Sequence, residues 1–153
     1  KMKKLIVIIL FISNFTVAQT IKPLSNNSIE ELLIDDIASH AVLEGCISLY
    51  SGVTELTKKK YPKLASEFFE SANTLYPYGI ISLSKIKNIS YEEAEKVFFL
   101  NVTNLSKEYI DEMNNNGKKN GSYFKGSFLA NDLSFCYDVT RYLQLTITES
   151  LDE

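Results

Sequence analysis

The chain is poor in the residues from which active sites and metal sites are usually built. Its 153 residues include two cysteines, one histidine, one arginine and no tryptophan. A cysteine-rich zinc site needs four Cys or His ligands, which three such residues cannot supply, and no C-x-x-C pair occurs. The G-x-S-x-G elbow, the phosphate-binding glycine loop and the H-E-x-x-H motif are also missing. We therefore expect a protein that is not an enzyme and uses no catalytic residues, metal or cofactor.

The first 18 residues have the pattern of a secretory signal peptide. Three lysines stand among the first four residues, the apolar run Leu5–Phe15 follows, and small residues lead to Ala18. The alternative is a membrane anchor, but a spanning helix needs about 20 apolar residues, and this run is shorter and contains Asn14. We predict cleavage after Ala18, export, and no stable membrane anchor afterwards. The location would be the periplasm in a Gram-negative bacterium and the exterior otherwise.

Cleavage would make the chain more acidic. It removes three lysines and no acids, so 13 basic residues face 19 acidic ones, a net charge of −6. Such a surface repels phosphate backbones, and a single arginine supplies little bidentate recognition of phosphate or bases, so we expect no nucleic-acid partner. The remaining length suits one domain. We assign residues 19–27 to a short linker and residues 28–153 to a single helical domain.

Apolar residues recur at helical spacing through most of this domain. Capping boxes at Ser28 with Glu31 and at Ser90 with Glu93 predict two helix starts. The predicted helices cover about 29–58, from Pro62 to Tyr76, from Ser90 to Met113, and from Leu129 to Ile147. We expect Tyr76–Gly79 to end the second helix, 80–86 to be a short apolar segment, and Asn114–Ser122 to be a loop. No stretch alternates as a strand.

The two cysteines, Cys46 and Cys136, fall on the apolar stripes of the first and last predicted helices. Four amphipathic helices with short connections favour an all-α antiparallel four-helix bundle, in which those two helices are neighbours. In an oxidising compartment a disulfide between them is expected, and Gly45 would permit the close approach that it requires. Two reduced core thiols are the alternative.

One helix edge carries the residues that could perform chemistry. Asp36, His40 and Glu44 stand four residues apart, so all three lie on one edge of the first helix. They could support acid–base catalysis or share a metal ion. The simpler interpretation is a solvated helix face, because no second histidine is present.

Aromatic residues are abundant, with nine tyrosines and nine phenylalanines. Helical spacing predicts that the doublets Phe68-Phe69 and Phe98-Phe99 are core residues. A second set stands at predicted helix ends and could contact a partner: Tyr76, Tyr78, Tyr123 and Phe124. Tyrosines at such positions form a protein-binding rim or close the ends of the bundle, and the sequence leaves both interpretations open.

Three classes of function remain. The first is non-covalent binding of another envelope or secreted protein, for example by an immunity or inhibitor protein. The second is a helical ligand-binding or envelope chaperone module. The third is a metal-dependent or acid–base enzyme that uses Asp36, His40 and Glu44.

Overall fold

The computed structural model describes residues 21–151, except for the side chains of Glu31, Leu33 and 146–151. A 3₁₀ turn at Leu24–Asn26 precedes five helices, which we label α1 (Ile29–Ile34), α2 (Asp36–Thr57), α3 (Pro62–Lys87), α4 (Tyr91–Asn120) and α5 (Leu129–Leu151). No strand occurs in this range, so the all-α prediction is confirmed. The predicted signal peptide, 1–18, lies outside the described residues.

The first predicted helix is divided by a cap. Residue Asp35 is extended, and its carboxylate accepts hydrogen bonds from the backbone N–H groups of Ile37 and Ala38 at 2.8 and 3.1 Å. An Asp in this position satisfies donors that a helix start leaves free, which favours a new helix over a continued one. The prediction of one helix over 29–58 is therefore wrong at this residue.

Helix α3 runs through the proline that was expected to end it. The expected stop at Tyr76–Gly79 is wrong, because α3 contains Pro77 and ends at Lys87, followed by the left-handed cap residue Asn88 with φ 52°. A proline inside a helix costs roughly 3 kcal/mol. Burial of Leu75 and Ile80, each at most 1% exposed, offsets that cost. The predicted apolar segment 80–86 is the last part of this helix.

Helix α4 begins at the predicted capping box, with the Ser90 side chain accepting from Glu93 N–H and the Glu93 side chain from Ser90 N–H. The predicted loop Asn114–Ser122 is wrong for most of its length, because the helix continues to Asn120. Buried Asn116 explains this result: its side-chain amide donates to the Ser122 and Lys125 carbonyls at 2.7 and 3.0 Å. These hydrogen bonds hold the turn after α4 and keep the asparagine inside the helix.

Helix α2 is the centre of the bundle and packs against α3, α4 and α5. Short connections turn α3 back along α2 and α4 back along α3, so α2 and α4 run parallel. Two hydrogen bonds join these helices. The Asn101 side-chain amide of α4 donates to the Glu44 carboxylate at 3.0 Å, and one turn later in α2 the Ser48 hydroxyl donates to the Val102 carbonyl at 3.4 Å. Among residues 21–151, no helix is long and apolar enough to cross a membrane.

The predicted disulfide is confirmed. Cys46 of α2 and Cys136 of α5 are bonded, with 5.3 Å between their Cα atoms, and both residues are fully buried. The expected role of Gly45 is wrong, because a Cβ there would lie 2.6 Å from Leu24 Cδ2. The missing side chain makes room for the N-terminal segment and not for α5.

Part of the segment that the sequence assigned to a linker packs onto the bundle. Leu24 is 9% exposed, and the backbone N–H of Ser25 donates to the buried carboxylate of Asp132 at 2.9 Å. Asp132 lies one helical turn before the disulfide in α5, so the N-terminal segment is attached where α2 and α5 are also joined.

Candidate functional site

A groove of about 570 Å³ lies between α3 and α4, with α2 as its floor. Its floor includes Ile47 and Ser51, and its walls include Phe69 and Tyr76 from α3 and Phe99 from α4. Near the turn that joins them, α3 and α4 are in close contact, because the Phe98 ring packs on the surface that Gly79 leaves open. Farther along, the groove lies over Ile47, Ser51 and Glu55 of α2, of which Ile47 is buried and Glu55 is exposed.

Two phenylalanines that were predicted to be core residues are exposed on these walls. Phe69 is 55% exposed and Phe99 is 58% exposed, whereas Phe98 is fully buried and Phe68 is half-buried against the Tyr50 ring. Consecutive helical residues point about 100° apart, so a doublet directs only one of its rings fully into the core. The doublets were therefore a signal for exposed aromatics that the sequence analysis missed.

The four residues predicted to contact a partner occupy two separate regions. Tyr76 and Tyr78 lie inside α3 and are half-buried, and only Tyr76 lines the groove. Tyr123 and Phe124 follow α4 in the turn before α5, where their rings meet edge to face at 6.3 Å. Tyr123 is 38% exposed and borders a different depression, near Gly117. The structure therefore brings one of the four to the groove.

The Tyr76 ring lies at one end of the groove. It packs against Phe98 with 5.4 Å between ring centroids. Burial raises the pKa of the Tyr76 hydroxyl, and the nearby carboxylate of Glu95 raises it further. Glu95 lies one helical turn before Phe99 on α4, so its negative charge is beside this end of the groove.

The opposite end of the groove carries charges of both signs. Glu55 and Lys107 both line it. Glu55 forms an exposed ion pair with Lys58 at 2.6 Å. Within residues 21–151, neither Glu95 nor Lys107 forms an ion pair. Two unneutralised charges of opposite sign thus flank the apolar surface.

The possible catalytic set on α2 is only partly assembled. His40 Nε2 lies 3.4 Å from Glu44 Oε2, which also accepts a hydrogen bond from Asn101 at 3.0 Å. Asp36 instead forms an ion pair with Lys85 of α3 at 2.7 Å. Among the described residues, no three His, Cys, Asp or Glu side chains are grouped as metal ligands.

Local contacts fix the ionisation of Glu44. Burial alone would raise the pKa of its carboxyl group, but hydrogen bonds from His40 and Asn101, with the charge of His40, lower it below 4.5. The His40 ring also packs against Phe98, at 5.7 Å between centroids. These contacts link α2 to α4 and give the pair a role in packing.

No family model, curated protein or solved structure matches the chain. The groove has a concave surface, exposed aromatic rings on both walls and charges at its ends. Among the residues that line the groove, no nucleophile and base form a hydrogen-bonded pair.

Proposed function

We propose that this chain is a small exported protein that acts by non-covalent binding of another envelope or secreted protein through the α3–α4 groove. Phe69 and Phe99, each more than half exposed on facing walls, are the observation that supports this proposal. Exposed apolar side chains that are grouped and rimmed by polar residues mark interaction sites, whereas apolar residues scattered singly over a surface are ordinary. Aromatic residues also contribute a large share of binding energy at interfaces.

Export is part of the proposal and is supported by two features. The N-terminal 18 residues have a signal-peptide pattern, and the Cys46–Cys136 disulfide is compatible with an oxidising compartment. We place the mature protein in the periplasm of a Gram-negative bacterium or outside the cell of another source. An immunity or inhibitor protein, which covers the functional surface of its partner, is the specific role that we favour.

The test compares capture by groove variants and by a matched control. Mature wild-type protein, a Phe69→Ser/Phe99→Ser variant and an Ile81→Ser variant would each be immobilised and exposed to envelope extract of the source organism. Ile81 is 55% exposed on α3 but does not line the groove. We expect one protein to be retained by the wild type and by Ile81→Ser and to be lost from the groove variant.

Two other outcomes would replace the proposal. A small apolar molecule found in native mass spectra, and lost from the groove variant, would indicate a ligand-binding or chaperone module. Turnover of a substrate that His40→Ala abolishes in a folded protein would indicate an enzyme. Retention of the same proteins by all three forms would exclude the groove as the binding surface.

A further inference from the structure

The shape and chemistry of the groove identify the kind of segment that fits it, and this inference rests on the proposed function. The groove wall on α4 extends from Phe99 to Ile110, eleven residues on. At 1.5 Å per residue this length is about 16 Å, or three helical turns. The other two sides, α2 and α3, are also helices. The groove is therefore bordered by helices on all three sides.

Backbone hydrogen bonding favours a helix over an extended segment. An extended peptide binds most readily at a sheet edge, where free N–H and C=O groups pair with its own backbone. Helices α2, α3 and α4 offer no such row of groups, because their backbones are bonded internally. A helix satisfies its own backbone internally, so it needs no backbone partner from the groove.

The two serine hydroxyls that line the groove, one on α2 and one on α4, offer little polar recognition to a ligand. Ser51 Oγ donates to the Ile47 carbonyl at 2.8 Å, and Ser106 Oγ donates to the Val102 carbonyl at 2.7 Å. Both donors are thus used within their own helices. Asn73 and Thr103 also line the groove, but most of its surface is aliphatic and aromatic, which matches the apolar stripe of an amphipathic helix better than a sugar or another highly polar ligand.

Charges at the ends of the groove specify the orientation of the occupant. Glu95 lies one helical turn before Phe99 on α4, at the Tyr76 end of the groove, and Lys107 lines the other end. Twelve residues of α4 separate them, a distance of about 18 Å along the helix axis. Lys96, the basic residue next to Glu95, is already paired with Glu92 at 2.8 Å. A bound segment therefore gains favourable electrostatic interactions from a basic side chain beside Glu95 and an acidic side chain beside Lys107.

We infer that the groove binds an amphipathic helix of about three turns from the partner protein, with apolar residues every third or fourth position. Its basic end lies beside Glu95 and its acidic end beside Lys107. The apolar stripe of this helix contacts Phe69, Tyr76 and Phe99, and its charged side chains pair at the rims of the groove.

Synthetic peptides of about 16 residues test this inference directly. The forward peptide carries leucines at helical spacing, a lysine near one end and a glutamate near the other. A second peptide has the two charges exchanged, and a third has the same composition with the leucines scrambled. Binding of each labelled peptide to the mature protein is measured by fluorescence anisotropy at low salt. We expect the forward peptide to bind at least about tenfold more tightly than the scrambled one.

Variants of the protein separate the contribution of apolar contacts to peptide affinity from the contribution of charged side chains. Phe99→Ala should weaken the forward peptide about fivefold or more, whereas Ile81→Ala, at an exposed position outside the groove, should not. Exchanging the peptide charges should weaken binding about two- to fivefold for each pair. Glu95→Lys combined with Lys107→Glu should invert that preference. The inversion requires the proposed orientation, since a general loss of stability would weaken both peptides alike.

Failure of this inference can be distinguished from failure of the proposed function. Equal affinity for forward and scrambled peptides, or a charge preference that the double variant does not invert, would overturn the helical occupant. The proposed function would still stand if a captured protein were lost from the Phe69→Ser/Phe99→Ser variant. A photo-crosslinker in place of Phe99 should label a segment of that protein with helical apolar spacing. Labelling of a segment without such spacing would also overturn the inference.

Discussion

Removal of the disulfide should cause a large loss of stability. Replacing Cys46 and Cys136 by alanine opens a loop of 90 residues, which in the chain-entropy model lowers the free energy of unfolding by about 4.6 kcal/mol. The total stability of a domain is typically about 5 to 15 kcal/mol, so the change is comparable with the whole. Both sulfur positions are fully buried, and the truncation itself adds a small packing loss.

The assay is thermal unfolding followed by circular dichroism. At roughly 3 to 5 °C for each kcal/mol in a domain of this size, the double variant should melt about 15 °C or more below the wild type. Each single Cys→Ala variant should lose nearly as much, because either substitution opens the loop. Ser134→Ala, at an exposed position on α5, is the control and should leave the Tm unchanged. A double variant within a few degrees of the wild type would refute the assignment of the disulfide as a major source of stability.

Three further predictions concern packing and pH. Gly79→Ala should destabilise the fold by about 1 kcal/mol, because the new methyl group would lie 2.2 Å from the buried Phe98 ring. The resulting strain exceeds the gain in helix propensity. An unchanged midpoint of urea unfolding would contradict this prediction. The pKa of Glu44 is lowered in the folded state, so the ionised carboxylate stabilises the fold above pH 4.5 and this contribution is lost as the pH falls through the lowered pKa. In acid denaturation, the Glu44→Gln variant should therefore lose less stability over this pH range than the wild type does. The pKa of the Tyr109 hydroxyl is raised from 10.0 by burial, and further by Asp132 and Glu108. The tyrosine of the unfolded state therefore ionises first above pH 10, and the stability of the fold decreases there. Tyr109→Phe should reduce this loss of stability at high pH, and identical alkaline unfolding curves for variant and wild type would contradict the prediction.

The helical class and the disulfide could be predicted because both depend on local patterns. A spacing of three and four apolar residues identifies helices, and the capping box at Ser90 fixed the start of α4. Cys46 and Cys136 lay on the inward stripes of the first and last predicted helices, so helical periodicity already oriented them correctly. The disulfide prediction required in addition that the first and last helices be neighbours, which the topology of an antiparallel bundle supplied.

Helix ends were predicted less well, because tertiary contacts override local propensity. Pro77 and the glycine-containing stretch after Asn114 are strong local signals for an interruption. Burial of Leu75 and Ile80 around the proline, and the hydrogen bonds of Asn116 to the turn after α4, stabilise the longer helices. Those partners are distant in sequence or belong to another element.

The sequence by itself determined that the chain forms amphipathic helices, that its two cysteines face the interior, and that its chemistry-bearing residues are few. Only the tertiary structure decided which apolar side chains have no covering neighbour. Periodicity predicted Phe69 and Phe99 as core residues, but the burial of such a residue depends on whether an adjacent helix lies close enough to cover it. Between α3 and α4 no described side chain covers the Phe69 and Phe99 rings, so both are more than half exposed and border the groove. Interhelical distance is set by the packing of all the helices together, which no local segment encodes.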